Sequence, residues 1–303
     1  MTCGILFAER GDRTAIFAEE VGTHTTSGAA AALWFPYDAE PADKVIPWAL
    51  ATYKVLVDLA NDPCSGVSMI DLRQYCRTGI IEIPNWASPF VIPSEVEGSL
   101  DISVLKRGFA LRVPLMDTSI YIDYLAQRFQ KAGGEIHANI RFEKLENVDS
   151  KFDLVIDCAG IGARELARDP SVEPHRGQVA IVPKIDSLNY AIVCDDAPLM
   201  YAIPRTNDCV FGGTNDVSDD LDPDAATTKA IVSECARVLK IDNPQVLRER
   251  VGLRPFRKSG VRLESERLQD RRVVIHNYGH GGSGFTLSWG CAQQVVELAN
   301  GAN

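Results

Sequence analysis

A chain of 303 residues is long enough for two domains of about 100–200 residues each. Hydrophobic residues make up 46% and charged residues 24%, and the net charge of −10 argues against nucleic acid or an anionic membrane surface as the main partner. No apolar run reaches the ~18–20 residues needed to cross a bilayer, so we expect neither a nucleic-acid nor a membrane partner.

The cysteines and the two ends of the sequence bear on location and metal binding. The eight cysteines form no C-x-x-C pair, which argues against zinc and thioredoxin-type chemistry. The first residues, MTCGILFAERGDR, lack the basic region of a secretory signal, and the last, ANGAN, carry no S-K-L peroxisomal address. We therefore expect a cytoplasmic protein.

The first half of the chain predicts pieces of an α/β domain. GILFAERG is typical of a helix end, RTAIFAEE of a short strand, and VGTHTTSGAAAALWFPY of a loop. Helices are predicted for DKVIPWALATYKVLVDLAND and for DTSIYIDYLAQRFQKAGG, the second capped by Asp117 or Thr118 and ended by Gly133 and Gly134. EIHANI is a predicted strand, and FDLVIDCAGIGARELA is a predicted strand, glycine turn and helix.

The stretch from about Arg176 to Arg262 has a different pattern. GQVAIVPK, NYAIVCDD, LMYAIPRT and DCVFGGTND are short strands separated by turn residues, which predicts an antiparallel sheet. One helix, PDAATTKAIVSECARVLK, interrupts it. RRVVIHNYGHGGSGFTLSWGCAQQVVELA then returns to strand, turn and helix, so we predict a β-rich domain inserted into a discontinuous α/β domain.

Four glycines fall within six residues of HNYGHGGSGFT, between a predicted strand and a predicted helix. Backbone N–H groups point outward at such a turn, and the helix dipole favours negative charge there. A tight turn that needs positive φ is the alternative interpretation. The density of glycines favours a backbone that approaches a bound group closely.

Together with other segments, this stretch resembles the D-amino-acid oxidase family of flavoproteins. HNYGHGGSGFTLSWGCA resembles that family's C-terminal signature, and VGLRPFRKSGVRLE its arginine-bearing strand. RGQVAIV, VIDCAGIGARELA and THTTSGAAAALWFPY resemble three further family segments, in family order. The resemblance implies oxidative deamination of D-amino acids with FAD, with dioxygen as the electron acceptor.

The resemblance implies a Rossmann-like α/β FAD-binding domain and an inserted α+β substrate domain with an antiparallel sheet. We place the FAD-binding domain at 1–50, 112–178 and 262–303, and the substrate domain at 51–111 and 179–261. Family members begin with a strand and a G-x-G-x-x-G loop, whereas TCGILFAERG aligns with the helix that follows this loop. We therefore expect the first strand and the loop to be missing, through a late start or a truncation.

The resemblance also assigns cofactor-binding positions. Glu19 aligns with the acid that binds the adenosine ribose, and the backbone of Gly284, Phe285 and Thr286 with donors to the flavin pyrimidine. The full set is Glu19, Thr25, Thr26, Ser27, Ala32, Leu33, Phe142, Cys158, Gly160, Gly281, Gly282, Ser283, Gly284, Phe285 and Thr286.

Three positions are implied on the substrate side. Arg254 aligns with the arginine that binds the substrate carboxylate, and Tyr201 with a tyrosine whose hydroxyl reaches the same group. The Gly282 carbonyl aligns with an acceptor for the substrate amine. Hydride transfer from Cα to flavin N5 then needs no side-chain base, and the products are an α-keto acid, ammonia and hydrogen peroxide.

Several alternatives stay open. Asn215 follows GGT, where D-aspartate oxidases have an arginine, so we expect neutral and apolar D-amino acids over D-aspartate. D-aspartate oxidase, glycine oxidase and a catalytically silent remnant unable to hold FAD are the other hypotheses. His276 and His280 have H-x-x-x-H spacing, but no helix can run through NYGHGG, so no metal site is expected. A homodimer is also left open.

Overall fold

The structure, a computed structural model, describes residues 1–37, 39–93 and 105–301. The helices are α1 (Thr2–Glu9), α2 (Thr26–Ala29), α3 (Ala42–Leu59), α4 (Thr118–Lys131), α5 (Ala163–Leu166), α6 (Ala225–Leu239) and α7 (Gly284–Gly301). The strands are β1 (Ala15–Phe17), β2 (Val67–Cys76), β3 (Lys106–Met116), β4 (Glu135–His137), β5 (Leu154–Asp157), β6 (Val172–Pro183), β7 (Tyr190–Cys194), β8 (Met200–Pro204), β9 (Asp208–Gly212), β10 (Asp216–Val217), β11 (Arg248–Arg257), β12 (Arg262–Arg267) and β13 (Val273–Tyr278). Short 3-10 turns cover Gly22–His24, Asn85–Phe90, Leu145–Asn147, Gly160–Gly162 and Gly281–Ser283.

Two small sheets each contain a parallel strand pair. β1 pairs in parallel with β4, and β13 pairs in parallel with β5 and antiparallel with β12. α1 packs against α4 and α7, and α3 packs against α7. This confirms the predicted α/β pieces, whereas the expected loss of an inner strand stays a prediction.

The close packing of α3 against α7 depends on a glycine. A Cβ on Gly290 would lie 2.1 Å from the Trp48 carbonyl oxygen. With no side chain there, the Gly290 N–H donates a 2.9 Å hydrogen bond to the Thr52 hydroxyl across the two helices. This contact fixes α7, and therefore the glycine-rich turn at its N-terminus.

The large sheet has the strand order β10-β6-β9-β8-β7-β2-β3, and β11 also pairs with β6. Its pairs are antiparallel, as predicted, except that β2 and β7 run parallel. A parallel pair needs a long crossover, and here the chain passes through α4, β4, β5 and α5 between these strands. The sequence pattern did not predict β2 or β3 as members of this sheet.

The predicted domain boundaries cut across two strands. β3 runs to Met116, past the predicted boundary at 111, and β6 begins at Val172, before the boundary at 179. The large sheet therefore extends a few residues beyond the segments assigned to the substrate domain. The division of the chain into those two domains stays a prediction.

Side-chain caps set the ends of the longer helices. The Asp117 carboxylate accepts from the Ser119 N–H at 3.1 Å at the start of α4, as predicted. Asp224 caps α6 in the same way, through the Thr227 N–H at 2.7 Å. Part of the predicted Thr-rich loop is instead the short helix α2, because Thr25 accepts from the Gly28 N–H and closes a helical turn.

Two buried tryptophans hold the core between α3, α4 and α7. Trp34 is fully buried and donates from its indole nitrogen to the Ala49 carbonyl at 3.0 Å. The Trp289 indole donates to the Tyr121 hydroxyl at 2.9 Å. Both rings are thus buried without losing a hydrogen bond. None of the helices in the described ranges has the length and apolar character needed to cross a membrane.

Candidate active site

A cleft of about 2080 Å³ runs between the glycine-rich turn, α2 with the alanines that follow it, and one face of the large sheet. Pockets for small ligands are commonly about 300–1,000 Å³. The cleft is therefore large enough for an extended cofactor together with a substrate.

The glycine-rich turn joins β13 to α7 at one side of this cleft. Gly279 and Gly281 have φ values of +82° and +53°, which L side chains rarely adopt. A Cβ on Gly279 would also lie 2.8 Å from the Arg257 side chain. A backbone bridge between Phe256 and His280 ties the turn to the end of β11. The glycines thus let the turn pass close to the strand that carries Arg254.

Arg254 extends from β11 across the neighbouring strand β6. A Cβ on Gly177 would lie 2.5 Å from both terminal nitrogens of the guanidinium, so the side chain rests directly on this glycine. Arg254 Nη1 donates to the Thr214 carbonyl at 2.9 Å and to Asn215 Oδ1 at 3.2 Å. These contacts hold the guanidinium in one orientation at the cleft wall.

Tyr201 lies beside this guanidinium. A Cβ on Gly212 would lie 1.9 Å from the Tyr201 ring, and one on Gly213 would lie 2.7 Å from its hydroxyl. Burial raises the pKa of the Tyr201 hydroxyl, and the adjacent Arg254 charge and hydrogen bond oppose that rise. A neutral hydroxyl next to a guanidinium is suited to bind a carboxylate.

Gly282 brings the glycine-rich turn to the same place. A Cβ on Gly282 would lie 2.9 Å from the Tyr37 ring and 3.8 Å from Arg254 Cδ. Arg254, Tyr201 and Gly282, the three predicted catalytic residues, therefore line one part of the cleft although they come from three distant segments.

The predicted cofactor residues lie along the rest of the cleft, with one exception. Those that line it are Glu19, Thr25, Thr26, Ser27, Ala32, Leu33, Phe142, Cys158, Gly160, Gly281, Gly282, Gly284, Phe285 and Thr286. Ser283 is fully buried and does not line the cleft. Its hydroxyl accepts from the Tyr37 N–H at 2.7 Å and donates to the Tyr37 carbonyl, so it fixes the neighbouring loop.

Glu19 lines another part of the cleft and is paired. Its carboxylate accepts from Arg141 Nη1 at 3.0 Å, and Arg141 also donates to Glu165 at 2.7 Å. Phe17 is nearby and packs edge-to-face on Phe142, with ring centroids 5.6 Å apart. This part of the cleft combines a carboxylate, which can accept from ribose hydroxyls, with aromatic rings that suit a base.

The residues present fit a flavin dinucleotide. The run Ala29–Leu33 gives the cleft a wall of small side chains, and a Cβ on Gly284 would meet no atom within 4 Å. Gly284 also begins the 18-residue helix α7, whose free N–H groups suit the electron-rich end of a flavin. The Thr286 hydroxyl is hydrogen bonded to the backbone of Phe35. The backbone of Thr286, and not its side chain, is therefore its predicted contact to the cofactor.

His276 and His280 have separate partners. Fully buried His276 lies in β13 and contacts Asp157 at 2.9 Å. His280 lies in the turn, its Nε2 is 3.0 Å from Asn277 Oδ1, and burial lowers its pKa to about 4. The two histidines are on different elements, as the glycine pattern predicted.

Among the cleft-lining residues that were not predicted from the sequence are Tyr37, Gln74, Arg141 and Asp195. Had VSMIDLRQYC been predicted as a strand, its alternation would have placed Gln74 on the same face as Leu72. Arg141 is adjacent to Phe142 in sequence. No local signal marked Asp195, because its place depends on the pairing of β7 with β2.

Comparison with known proteins identifies the family. A family model described as FAD dependent oxidoreductase matches residues 1–298. The chain belongs to this family. It is therefore an FAD-dependent oxidoreductase, and the cofactor and enzyme class predicted from the sequence are confirmed.

Relatives of known name cover almost the whole chain. A D-amino-acid oxidase from Rubrobacter xylanophilus is 38% identical, with 100% of this chain and 93% of that protein covered. One from Streptomyces coelicolor is 35% identical, covering 99% and 93%. A D-aspartate oxidase from Homo sapiens is 30% identical, covering 94% and 86%. A glycine oxidase structure from Geobacillus kaustophilus superposes with a TM-score of 0.81 at 17% identity, covering 99% and 91%, which shows the shared fold.

Proposed function

We propose that this oxidoreductase is a D-amino-acid oxidase. The observation that carries the proposal is the meeting of Arg254, Tyr201 and Gly282 in one cleft lined by the predicted cofactor residues. Relatives named D-amino-acid oxidase, at 33–38% identity, support the same activity. The amino acid loses a hydride from Cα and a proton from nitrogen. The imino acid then takes up water and releases ammonia, and dioxygen accepts two electrons and two protons to give hydrogen peroxide.

In this proposal the chain's own residues hold and orient the amino acid. Arg254 binds the carboxylate through two parallel N–H donors, and the Tyr201 hydroxyl donates to the same group. The Gly282 carbonyl accepts from the amine in its neutral form. With carboxylate and amine fixed, only one enantiomer directs its Cα hydrogen to the cofactor while its side chain enters the pocket.

FAD, when bound, supplies the hydride acceptor. We propose that Glu19 accepts from the ribose, that the Thr25–Ser27 segment and Gly160 border the diphosphate, and that Gly284–Thr286 donate from their backbone to the pyrimidine end. Donors at that end stabilise negative charge on the reduced ring. Ser283 is the one predicted cofactor residue that would act indirectly, because it holds the Tyr37 backbone in place.

Selection against acidic substrates follows from the residues after GGT. Asn215 accepts from Arg254 through Oδ1 and brings no cation for a second carboxylate. Asp219 lines the cleft, and Asp220 follows it. A second carboxylate on the substrate would meet repulsion here, so we propose neutral side chains over D-aspartate. A cytoplasmic location and a homodimer stay predictions from the sequence.

The test is peroxide release by the FAD-loaded protein with D-alanine, D-valine, D-aspartate and L-alanine. We expect turnover of both neutral D-amino acids and no turnover of L-alanine. For D-aspartate we expect a kcat/KM at least tenfold lower than for D-alanine. Comparable values of kcat/KM for D-aspartate and D-alanine would refute the proposed selection against acidic side chains. A protein that binds FAD but oxidises no D-amino acid would refute the activity itself.

A further inference from the structure

The face of the large sheet that carries Tyr201 continues beyond it. Tyr201 in β8 lies opposite Val193 in β7, and Val193 lies opposite Gln74 in β2. Side chains of paired residues point to the same face of a sheet. Tyr201, Val193 and Gln74 therefore form a row across three strands, and all three line the cleft.

Asp195 lies next to this row. It follows Val193 by two residues and lines the same cleft. Gln74, which is only 4% exposed, donates from Nε2 to Asp195 Oδ2 at 2.7 Å. Burial raises the pKa of the Asp195 carboxyl, as does the neighbouring Asp196, while the Gln74 hydrogen bond opposes the rise.

The adjacent carboxylate has a different place. Asp196 accepts from the Arg77 and Thr78 backbone N–H groups at 2.6 and 3.1 Å and does not line the cleft. Asp196 therefore stabilises the loop after β2. Within the ranges that the structure describes, Asp195 is hydrogen bonded to an amide and forms no ion pair with an arginine or lysine.

We propose that Asp195, oriented by Gln74, forms the far end of the substrate side-chain site and selects long D-amino acids that end in a cation, such as D-arginine and D-lysine. This inference rests on the proposed D-amino-acid oxidase function and names a further substrate class for the same site. Val193 and Leu199 line the cleft beside Tyr201 and this carboxylate, and their apolar side chains suit the methylene part of such a side chain.

The dimensions agree with this assignment. Val193 lies opposite Tyr201 on a strand about 4.8 Å away, and Asp195 follows two residues or about 6.6 Å further along, so Asp195 is roughly 8 Å from Tyr201. An extended arginine side chain carries its guanidinium about 6 Å from Cα, and its carboxylate adds a further bond length or two on the other side. A long basic side chain held by Arg254 and Tyr201 thus reaches Asp195, whereas the methyl group of alanine does not.

The experiment compares D-arginine with D-citrulline, which has nearly the same shape but no charge. For the FAD-loaded wild-type enzyme we expect kcat/KM for D-arginine to exceed that for D-citrulline at least tenfold, the usual effect of a charge-assisted hydrogen bond. Asp195→Asn keeps an oxygen acceptor for Gln74 but removes the charge. We expect it to lower kcat/KM for D-arginine at least tenfold more than for D-alanine and to abolish the preference over D-citrulline.

The matched control is Asp186→Asn, which removes the same charge from an exposed turn outside the cleft and should preserve the preference. Calorimetry with 5-guanidinopentanoate and 5-ureidopentanoate, which lack an amine and cannot be oxidised, tests binding alone. The guanidino acid should bind wild type at least tenfold more tightly than the ureido acid and lose this advantage in Asp195→Asn.

The outcomes separate the two proposals. If D-alanine is oxidised but Asp195→Asn affects D-arginine and D-citrulline equally, the selection by Asp195 is wrong and the oxidase activity stands. If no D-amino acid is oxidised, the oxidase function is wrong and this selection is wrong with it.

Discussion

Replacing Gly177 by alanine tests the substrate-binding role of Arg254 without touching Arg254 itself. The new Cβ would lie 2.5 Å from both terminal guanidinium nitrogens, whereas ordinary contacts are about 3.5 Å or longer. The guanidinium must therefore move by about 1 Å. A misplacement of this size at a positioning group costs about a hundredfold in rate, so kcat/KM for D-alanine should fall about a hundredfold.

Stability should change little in the same variant. Gly177 lies in strand β6, where alanine is acceptable, and the group that must move is the far end of a flexible side chain. We expect the free energy of unfolding to fall by no more than about 1 kcal/mol, measured by urea unfolding monitored by circular dichroism. Gly301→Ala is the control, because a Cβ there meets no atom within 4 Å. Retention of kcat/KM within twofold in Gly177→Ala would refute the assignment of Arg254 to the carboxylate.

Three further predictions address the Tyr201 hydroxyl, the cofactor and His280. Tyr201→Phe should lower kcat/KM for D-alanine about tenfold or more by removing one donor to the carboxylate, and an unchanged value in steady-state assays would exclude that role. Glu19→Gln should raise the dissociation constant for FAD about tenfold, whereas Glu165→Gln, which alters the other carboxylate bound to Arg141, should not; fluorescence titration distinguishes them, and equal effects would point to Arg141 instead. Burial lowers the pKa of His280 to about 4 from 6.5, so the unfolded state binds more protons between these values and stability falls as pH drops from 6.5 to 4. His280→Gln should have a shallower pH dependence of its urea midpoint in that window, with exposed His24→Gln as control; parallel curves would contradict the burial argument.

Local patterns in the sequence were sufficient to predict many of the helices and strands and to predict the family. The cap at Asp117, the strand and turn before α7, and the short strands between β6 and β9 follow from turn residues and periodicity, which act over a few positions. The glycine-rich segment also predicted a close backbone approach, because glycine alone tolerates the required φ values.

Only the tertiary structure decided which distant residues share the cleft. β2 joins the sheet in parallel with β7 through a long crossover, and this pairing places Gln74 beside Asp195. Likewise, Ser283 lies in the glycine signature yet points away from the cleft, because its hydroxyl satisfies the backbone of Tyr37. Such placements depend on pairing register and on long-range hydrogen bonds, and no pattern confined to neighbouring residues carries that information.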